Sequence, residues 1–349
     1  VSPTDPADRE ARLAARRAGL SAEQRALLEQ RLRARGPHTE TAAAPPSSLV
    51  AIQPAGSRPP FFCVHPAGGD ILCFQPLSRH LGADQPFYGL QSRGLAPGEV
   101  PLATLEEMAA LYRAEIARVA SGPFYVGGWS LGGAVAFELA RQLAAAGEEV
   151  ALLAIVDTTP GPWPRPAAGA EATPEAESPE GDDSPWLLDI ADYLQRLWGV
   201  DLGLSAEALR GLPPDLQGLR FLAGVKQTPL GQALSGGSGP EQLGRLLAVF
   251  KANLRAFRRF RPDPYPGRIT LFRPALAAWG GGPEEEAAAA ADPTLGWGAL
   301  SPLPVEIETV PGDHISAMAE PHVQALAERL RRRIDRSHRP DREEETRPQ

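Results

Sequence analysis

From Leu49 onward, short apolar runs alternate with stretches whose apolar residues return every three or four positions. That rhythm marks a mostly parallel sheet wound with helices, an α/β fold. The runs predict strands at 49–53, 60–64, 86–90, 123–128, 150–156, 267–273 and 304–310, with helices near 71–82, 104–120, 131–146 and 319–334. In the third helix Leu131, Val135, Leu139 and Leu143 recur every fourth residue until Gly147, which suits the left-handed conformation that ends helices. The last strand has a different character. Val305-Glu306-Ile307-Glu308 alternates apolar with charged, as an edge strand with one solvated face would.

Three segments fall outside this rhythm. Residues 1–48 read as an appendage: Asp8 to Arg35 is rich in good helix formers, and Ser21-Ala22-Glu23-Gln24 is a capping-box pattern. Leu27, Leu28 and Leu32 stripe the helix it opens, and Thr39 to Ser48, with Pro45-Pro46, reads as a flexible linker. The second segment, 158–266, is too long for an ordinary loop between two strands. Its first part, 160–185, is rich in Pro, Ala, Glu and Gly and is expected to be mobile; amphipathic helices are predicted at 186–198, 205–210, 215–225 and 240–259. A helical lid insertion is the natural reading. The third segment starts at Arg331, where charge dominates and fraying into solvent is expected, leaving 336–349 as a charged tail behind a main domain at 49–335.

Composition narrows the function classes. The 349 residues carry 35 Lys and Arg against 43 Asp and Glu, a formal net charge of −8, with no basic stripe interleaved with aromatics, so nucleic-acid binding is not expected. Lys226 and Lys251 are the only lysines, which with the high Ala, Gly and Pro content reads as codon bias. Cys63 and Cys73 sit among apolar residues and read as small buried hydrophobes, not a disulfide framework. Val150–Val156 is far too short to span a bilayer, and the N-terminus lacks the apolar core of a secretory signal. No membrane association and a cytoplasmic location are therefore expected. The chain begins at Val1, which points to an excised or trimmed piece of something longer.

The chemistry concentrates at one junction. Gly128-Trp129-Ser130-Leu131-Gly132 follows the β-rich run Phe124–Gly127 and directly precedes a predicted helix. This is G-x-S-x-G in the strand–turn–helix context of the α/β-hydrolase nucleophile elbow, with Ser130 as the nucleophile. In that fold the partners follow in the order serine, acid, histidine. His314, in Gly312-Asp313-His314 after the last strand, is the expected general base; His322 and His338 are competitors, while His38 and His80 read as solvated surface residues. No carboxylate follows the penultimate strand until Glu284, whereas Asp157 ends the apolar strand 150–156, on the ligand side of the sheet. Asp157 is the expected acid and Asp292 the runner-up; Asp313 reads as shaping the histidine loop. Two N–H groups should face the developing oxyanion: Leu131, at the start of the helix, and Ala67 in His65-Pro66-Ala67-Gly68-Gly69, with Gly68 as the fallback. His65 reads as a residue that fixes this loop by hydrogen bonding.

With these residues in place, 49–335 resembles the product-releasing thioesterase domain of nonribosomal peptide and polyketide synthases. The likeness rests on Phe62-Cys63-Val64-His65-Pro66-Ala67-Gly68-Gly69, Pro86-Phe87-Tyr88-Gly89-Leu90-Gln91, and Pro123 through Gly133, completed by Asp157 and Gly312-Asp313-His314. Trp129 and Leu131 beside the serine resemble the terminal domains more than the separate editing thioesterases. Residues 19–32 are similar to the helical segment that often opens a synthetase module, yet no carrier-type serine motif follows. The resemblance implies a Ser130 acyl-enzyme that takes its chain from the phosphopantetheine of an acyl or peptidyl carrier protein, in cis or in trans. That chain then passes to water, an amine or a hydroxyl, giving hydrolysis, cyclisation or transfer. It implies no cofactor and no metal in the enzyme itself. A stand-alone esterase or acyltransferase, and a non-catalytic hydrolase-fold binding protein, are the alternatives.

Overall fold

Side chains alternate across each buried strand, and that alternation splits the interior into two layers on either side of one sheet. The computed structural model describes residues 47–161, 184–198, 201–226, 239–276, 287 and 290–338, all within a unit spanning Ser47–Gln349. The sheet consists of β1 (Leu49–Gln53), β2 (Phe61–Val64), β3 (Phe87–Leu90), β4 (Phe124–Trp129), β5 (Val150–Val156), β6 (Thr270–Pro274) and β7 (Glu306–Val310). Their order is β1-β3-β2-β4-β5-β6-β7; β1 runs antiparallel to β3 and the remaining pairs are parallel.

Phe62, Val64, Phe124, Val126, Leu153 and Ile155 point to one face. There they meet α2 (Leu105–Ile116), α3 (Leu131–Ala145) and the end of α7 (Gly239–Arg259). Phe61, Cys63, Tyr125, Trp129, Leu152 and Val156 point to the other, covered by α1 (Gln75–Leu81) and α8 (His322–His338). Both cysteines are buried and neither is in a disulfide. Burial on both faces is why β2, β4 and β5 read as continuous apolar runs. At the edge, β7 alternates half-buried with exposed residues up to Val310, but in the sense opposite to its sequence pattern: Glu306 and Glu308 are half-buried against Arg333 of α8, while Ile307 is exposed.

The insertion carries α4 (Ser184–Trp198), α5 (Ala206–Leu209), α6 (Pro214–Lys226) and the first half of α7. Leu187, Ile190, Leu194, Leu202, Leu209, Phe221, Leu243 and Leu247 give it a small apolar core of its own.

Predicted and observed elements differ mainly at their ends. The helix predicted over 104–120 stops at Ile116, and residues 118–120 follow as tight turns to the carbonyls of Glu115 and Ile116. The 71–82 prediction resolves into a 3₁₀ turn (Leu72–Phe74) and α1, with Pro76 in the first turn of that helix. Fraying from Arg331 is overturned as far as His338. The closing helix starts at His322, behind Pro321, and continues through that stretch, with Ile334 buried. Arg333 bonds Glu306 and Glu308, Arg331 bonds the His80 carbonyl, and Asp335 pairs with Arg58. These charges look solvated in sequence, but on a helix they fall opposite fixed partners. His338 therefore ends a helix; it is not part of a free tail. The predicted appendage helices before residue 47, most of the Pro- and Ala-rich segment after Gly161, and His38 lie outside the described residues.

Candidate active site

The strand order places the site. β2 connects outward to β3 on one side while β4 leads to β5 on the other, so a crevice opens beyond the carboxyl ends of β2 and β4. The turn after β2 and Ser130 after β4 both border it, since Val64 and Gly128 are register partners.

Ser130 is held in a conformation that few side chains adopt, with φ 57° and ψ −136°. Such backbone costs on the order of 1–3 kcal/mol and persists because its surroundings leave no alternative. Here those surroundings are glycines. A Cβ on Gly128 would lie 2.1 Å from the Gly132 carbonyl oxygen, and one on Gly132 would lie 2.2 Å from the Val64 carbonyl oxygen. Strand, helix and the exit of β2 thus meet at backbone contact. Ser130 donates its N–H to the Val156 carbonyl at 3.1 Å, and Gly133 donates to the Ser130 carbonyl at 2.8 Å. Leu131 opens α3, so its N–H lacks an intrahelical acceptor and lies at the positive end of the helix dipole, directly after Ser130.

Asp157 continues β5 by one residue, donates its N–H to the Phe272 carbonyl at 2.9 Å, and then turns with φ 45°. Its carboxylate Oδ2 lies 2.8 Å from His314 Nδ1, with both side chains largely buried. A carboxylate only accepts, so Nδ1 carries the hydrogen and donates it, which makes Nε2 the basic nitrogen of the neutral ring. Trp129, the residue before Ser130, completes the bracket. Its indole Nε1 donates to the His314 carbonyl at 3.0 Å and its ring lies against the imidazole, centroids 5.4 Å apart. That contact joins residues 185 positions apart and leaves no local signal in the sequence.

The rival carboxylates are otherwise engaged. Asp292 accepts from the N–H groups of Thr294 and Gly296 and from the Thr294 hydroxyl; burial raises its pKa, and those hydrogen bonds together outweigh burial and lower it. Asp313 accepts from the N–H groups of Ile315 and Ser316 and from the Ser316 hydroxyl, and so shapes the histidine loop. His80 pairs with Glu320 at the surface, and His322 starts α8.

The turn after β2 is clamped from beneath. Gly69 donates its N–H to the Pro66 carbonyl at 2.9 Å, which places Ala67 and Gly68 at the tip. His65 is fully buried; its Nδ1 lies 2.7 Å from the same carbonyl and its Nε2 2.8 Å from the Tyr112 hydroxyl. The carbonyl can only accept, so His65 is the Nδ1–H tautomer and Tyr112 donates to Nε2. Burial lowers the His65 pKa to about 4, only partly offset by the bond to Pro66, which keeps the ring neutral. The Pro66 carbonyl and the Ala67 N–H belong to one peptide plane, so the bond from His65 fixes the direction of that N–H.

Among the described residues no group of three or more His, Cys, Asp and Glu side chains could hold a metal ion, and no helix is long and apolar enough to cross a membrane.

Comparisons with known proteins agree with this architecture. Residues 59–198 match the thioesterase domain family. Over 293 residues the chain is 31% identical to chondramide synthase of Chondromyces crocatus, covering 83% of this chain and 7% of that protein. A dimodular nonribosomal peptide synthase of Bacillus subtilis is 46% identical over 113 residues, which is 32% of this chain and 5% of the relative. The chain thus spans a small fraction of the curated relatives it matches. Among solved structures, a four-domain nonribosomal peptide synthetase superposes with TM-score 0.67 at 28% identity, over 87% of this chain and 21% of that one. The Vlm2 thioesterase domain, solved with a bound dodecadepsipeptide, superposes with TM-score 0.57 at 26% identity, over 82% and 96%. By fold and by family match, this chain contains a thioesterase domain with an α/β-hydrolase sheet, similar to those of nonribosomal peptide synthetases.

Proposed function

We propose that the chain releases an acyl, peptidyl or polyketide product from the phosphopantetheine thiol of a carrier protein, through an ester on Ser130. The observation that carries this reading is the buried 2.8 Å bond between Asp157 and His314, with the strained Ser130 at the adjacent strand tip. In the first step His314 Nε2 takes the Ser130 hydroxyl proton as Oγ attacks the thioester carbonyl. The Ala67 and Leu131 N–H groups receive the oxyanion, each such donor supplying on the order of 3 kcal/mol of transition-state stabilisation. The C–S bond then breaks and the thiol leaves with the proton held on His314. In the second step His314 deprotonates water, an amine or a hydroxyl, which attacks the Ser130 ester and restores the hydroxyl. Asp157 stabilises the imidazolium in both steps. The helices of 158–266 act as a lid that decides which acceptor reaches the ester.

Carrier proteins loaded with a panel of acyl and peptidyl chains, assayed against oxygen esters of the same acyl groups, test the reading by mass spectrometry of the products. Turnover of the carrier thioesters with much slower turnover of the oxygen esters is expected. The reverse preference would make the protein a stand-alone esterase. Absence of any Ser130-dependent turnover, on either series, would leave a hydrolase-fold binding protein.

A further inference from the structure

Helix α7 belongs to two cores at once. Leu243 and Leu247 in its first half pack into the small core of the insertion, whereas Ala256 and, just past its end, Phe260 pack into the main core beneath the sheet. Where the helix changes partners, it touches the turn after β2. A Cβ on Gly69 would lie 2.6 Å from Val249 Cγ1, so that glycine lets helix and turn approach at van der Waals distance. One turn further along, Asn253 is fully buried, and its Nδ2 donates to the Ala67 carbonyl at 2.9 Å. The amide orientation follows from chemistry, since the flipped form would set two oxygens against each other. Its Oδ1 is buried and has no hydrogen-bond partner. An orphaned acceptor is costly, and an apolar side chain of the same size would avoid it. Asn253 retains the polar group for its other end, the bond to Ala67.

We infer that Asn253 is a positioning residue through which the insertion sets the aim of the oxyanion turn. The inference rests on the Ser130 chemistry proposed above. The turn has two peptide planes at its tip. His65 fixes the plane that ends in the Ala67 N–H, from the sheet side; Asn253 fixes the next plane, which carries the Ala67 carbonyl and the Gly68 N–H, from the insertion side. With both planes held, the donors are aimed before the substrate arrives. A shift of α7, driven by what fills the insertion's side of the site, would release the second plane and misaim the turn. The lid then gates the chemistry as well as access, because an oxyanion donor works only when held in place in advance.

The test uses the full chain with a small acyl-N-acetylcysteamine thioester as probe. Asn253→Leu removes the donor and the orphaned acceptor together, so the melting temperature should change little while kcat falls about tenfold to a hundredfold at nearly constant KM. Asn253→Asp supplies a second readout, needed if the leucine variant fails to fold. Burial raises that carboxyl's pKa; its protonated form can donate to the Ala67 carbonyl and its ionised form cannot. The ratio of its kcat to the wild-type value should therefore fall as pH rises from about 6 to about 9. A folded leucine variant with wild-type kcat, or an aspartate variant whose reduced ratio stays flat across that range, overturns the inference. Loss of wild-type turnover itself, or turnover that survives Ser130→Ala, would instead overturn the proposed function, so the two failures are separable.

Discussion

The sheet body and the helical insertion are built to different specifications. In the body, the inner strands are buried on both faces and aromatic and branched side chains fill two continuous layers, with Phe137, Trp129 and Trp297 fully enclosed. In the insertion one modest apolar cluster serves four helical elements, and Leu216 and Leu219 remain exposed on α6. All three proposed catalytic side chains come from the body, as does the Ala67 turn. Ties between the two regions include the Asn253–Ala67 bond, the bond from Arg245 to the Leu95 carbonyl, and Trp297 Nε1 donating to the Thr158 carbonyl at 2.7 Å. In the proposed mechanism the densely packed frame holds the reacting groups, and the lightly stitched cover selects what meets them. Catalytic precision and substrate choice would then fall to parts of different stability.

The largest expected effect belongs to the frame. Asp157→Asn should leave the fold intact and lower kcat about 10⁴-fold, because the amide no longer holds the Nδ1–H tautomer of His314. Steady-state kinetics on the thioester probe measures it; a loss under about tenfold would place the acid elsewhere.

Paired truncations compare the regions directly. Phe137→Ala in the body should cost about 3–5 kcal/mol of global stability. Phe221→Ala in the insertion should leave the main unfolding transition almost in place, while amide exchange rises in α4, α6 and the first half of α7. Equal global losses in urea titrations would mean that body and insertion unfold as one unit.

Acid should act on the frame through His65. Its folded pKa of about 4 lies below the ordinary 6.5, so the unfolded chain binds more protons between those values. The stability this neutral ring contributes is complete above pH 6.5 and is lost as pH falls to about 4, a total on the order of 3 kcal/mol. Urea titrations across that window would show it, and a slope unchanged on replacing His65 with Phe would assign the acid sensitivity to other groups. Smaller still is Trp297→Phe, which leaves the buried Thr158 carbonyl without its donor and should cost about 1–2 kcal/mol, loosening the root of the insertion.

Much of this frame was legible in the sequence because its signals are local. Periodicity located the strands, the glycines around Ser130 encode a contact made by neighbouring residues, and Asp157 closes an unbroken apolar run. The placement of Asp157 beside His314 was inferred from chain order, and a 2.8 Å contact now supports it. What stayed hidden depends on distant partners. Arg331, Arg333 and Asp335 read as a solvated tail until helix geometry set them against His80, Glu306, Glu308 and Arg58. Asn253 lies among unremarkable helix formers, and only the fold brings it to Ala67, 186 residues earlier. Tyr112, buried in α2, gave no sign that it backs His65.

The most direct test of the account is to trap the acyl group. The full chain is mixed with an acyl-loaded carrier protein, quenched within the first turnover, digested and sequenced by mass spectrometry. An acyl mass on the peptide bearing Ser130, absent from Ser130→Ala and strongly reduced in His314→Ala, is the predicted result. An adduct on another residue, or product release that persists undiminished in Ser130→Ala, would contradict it.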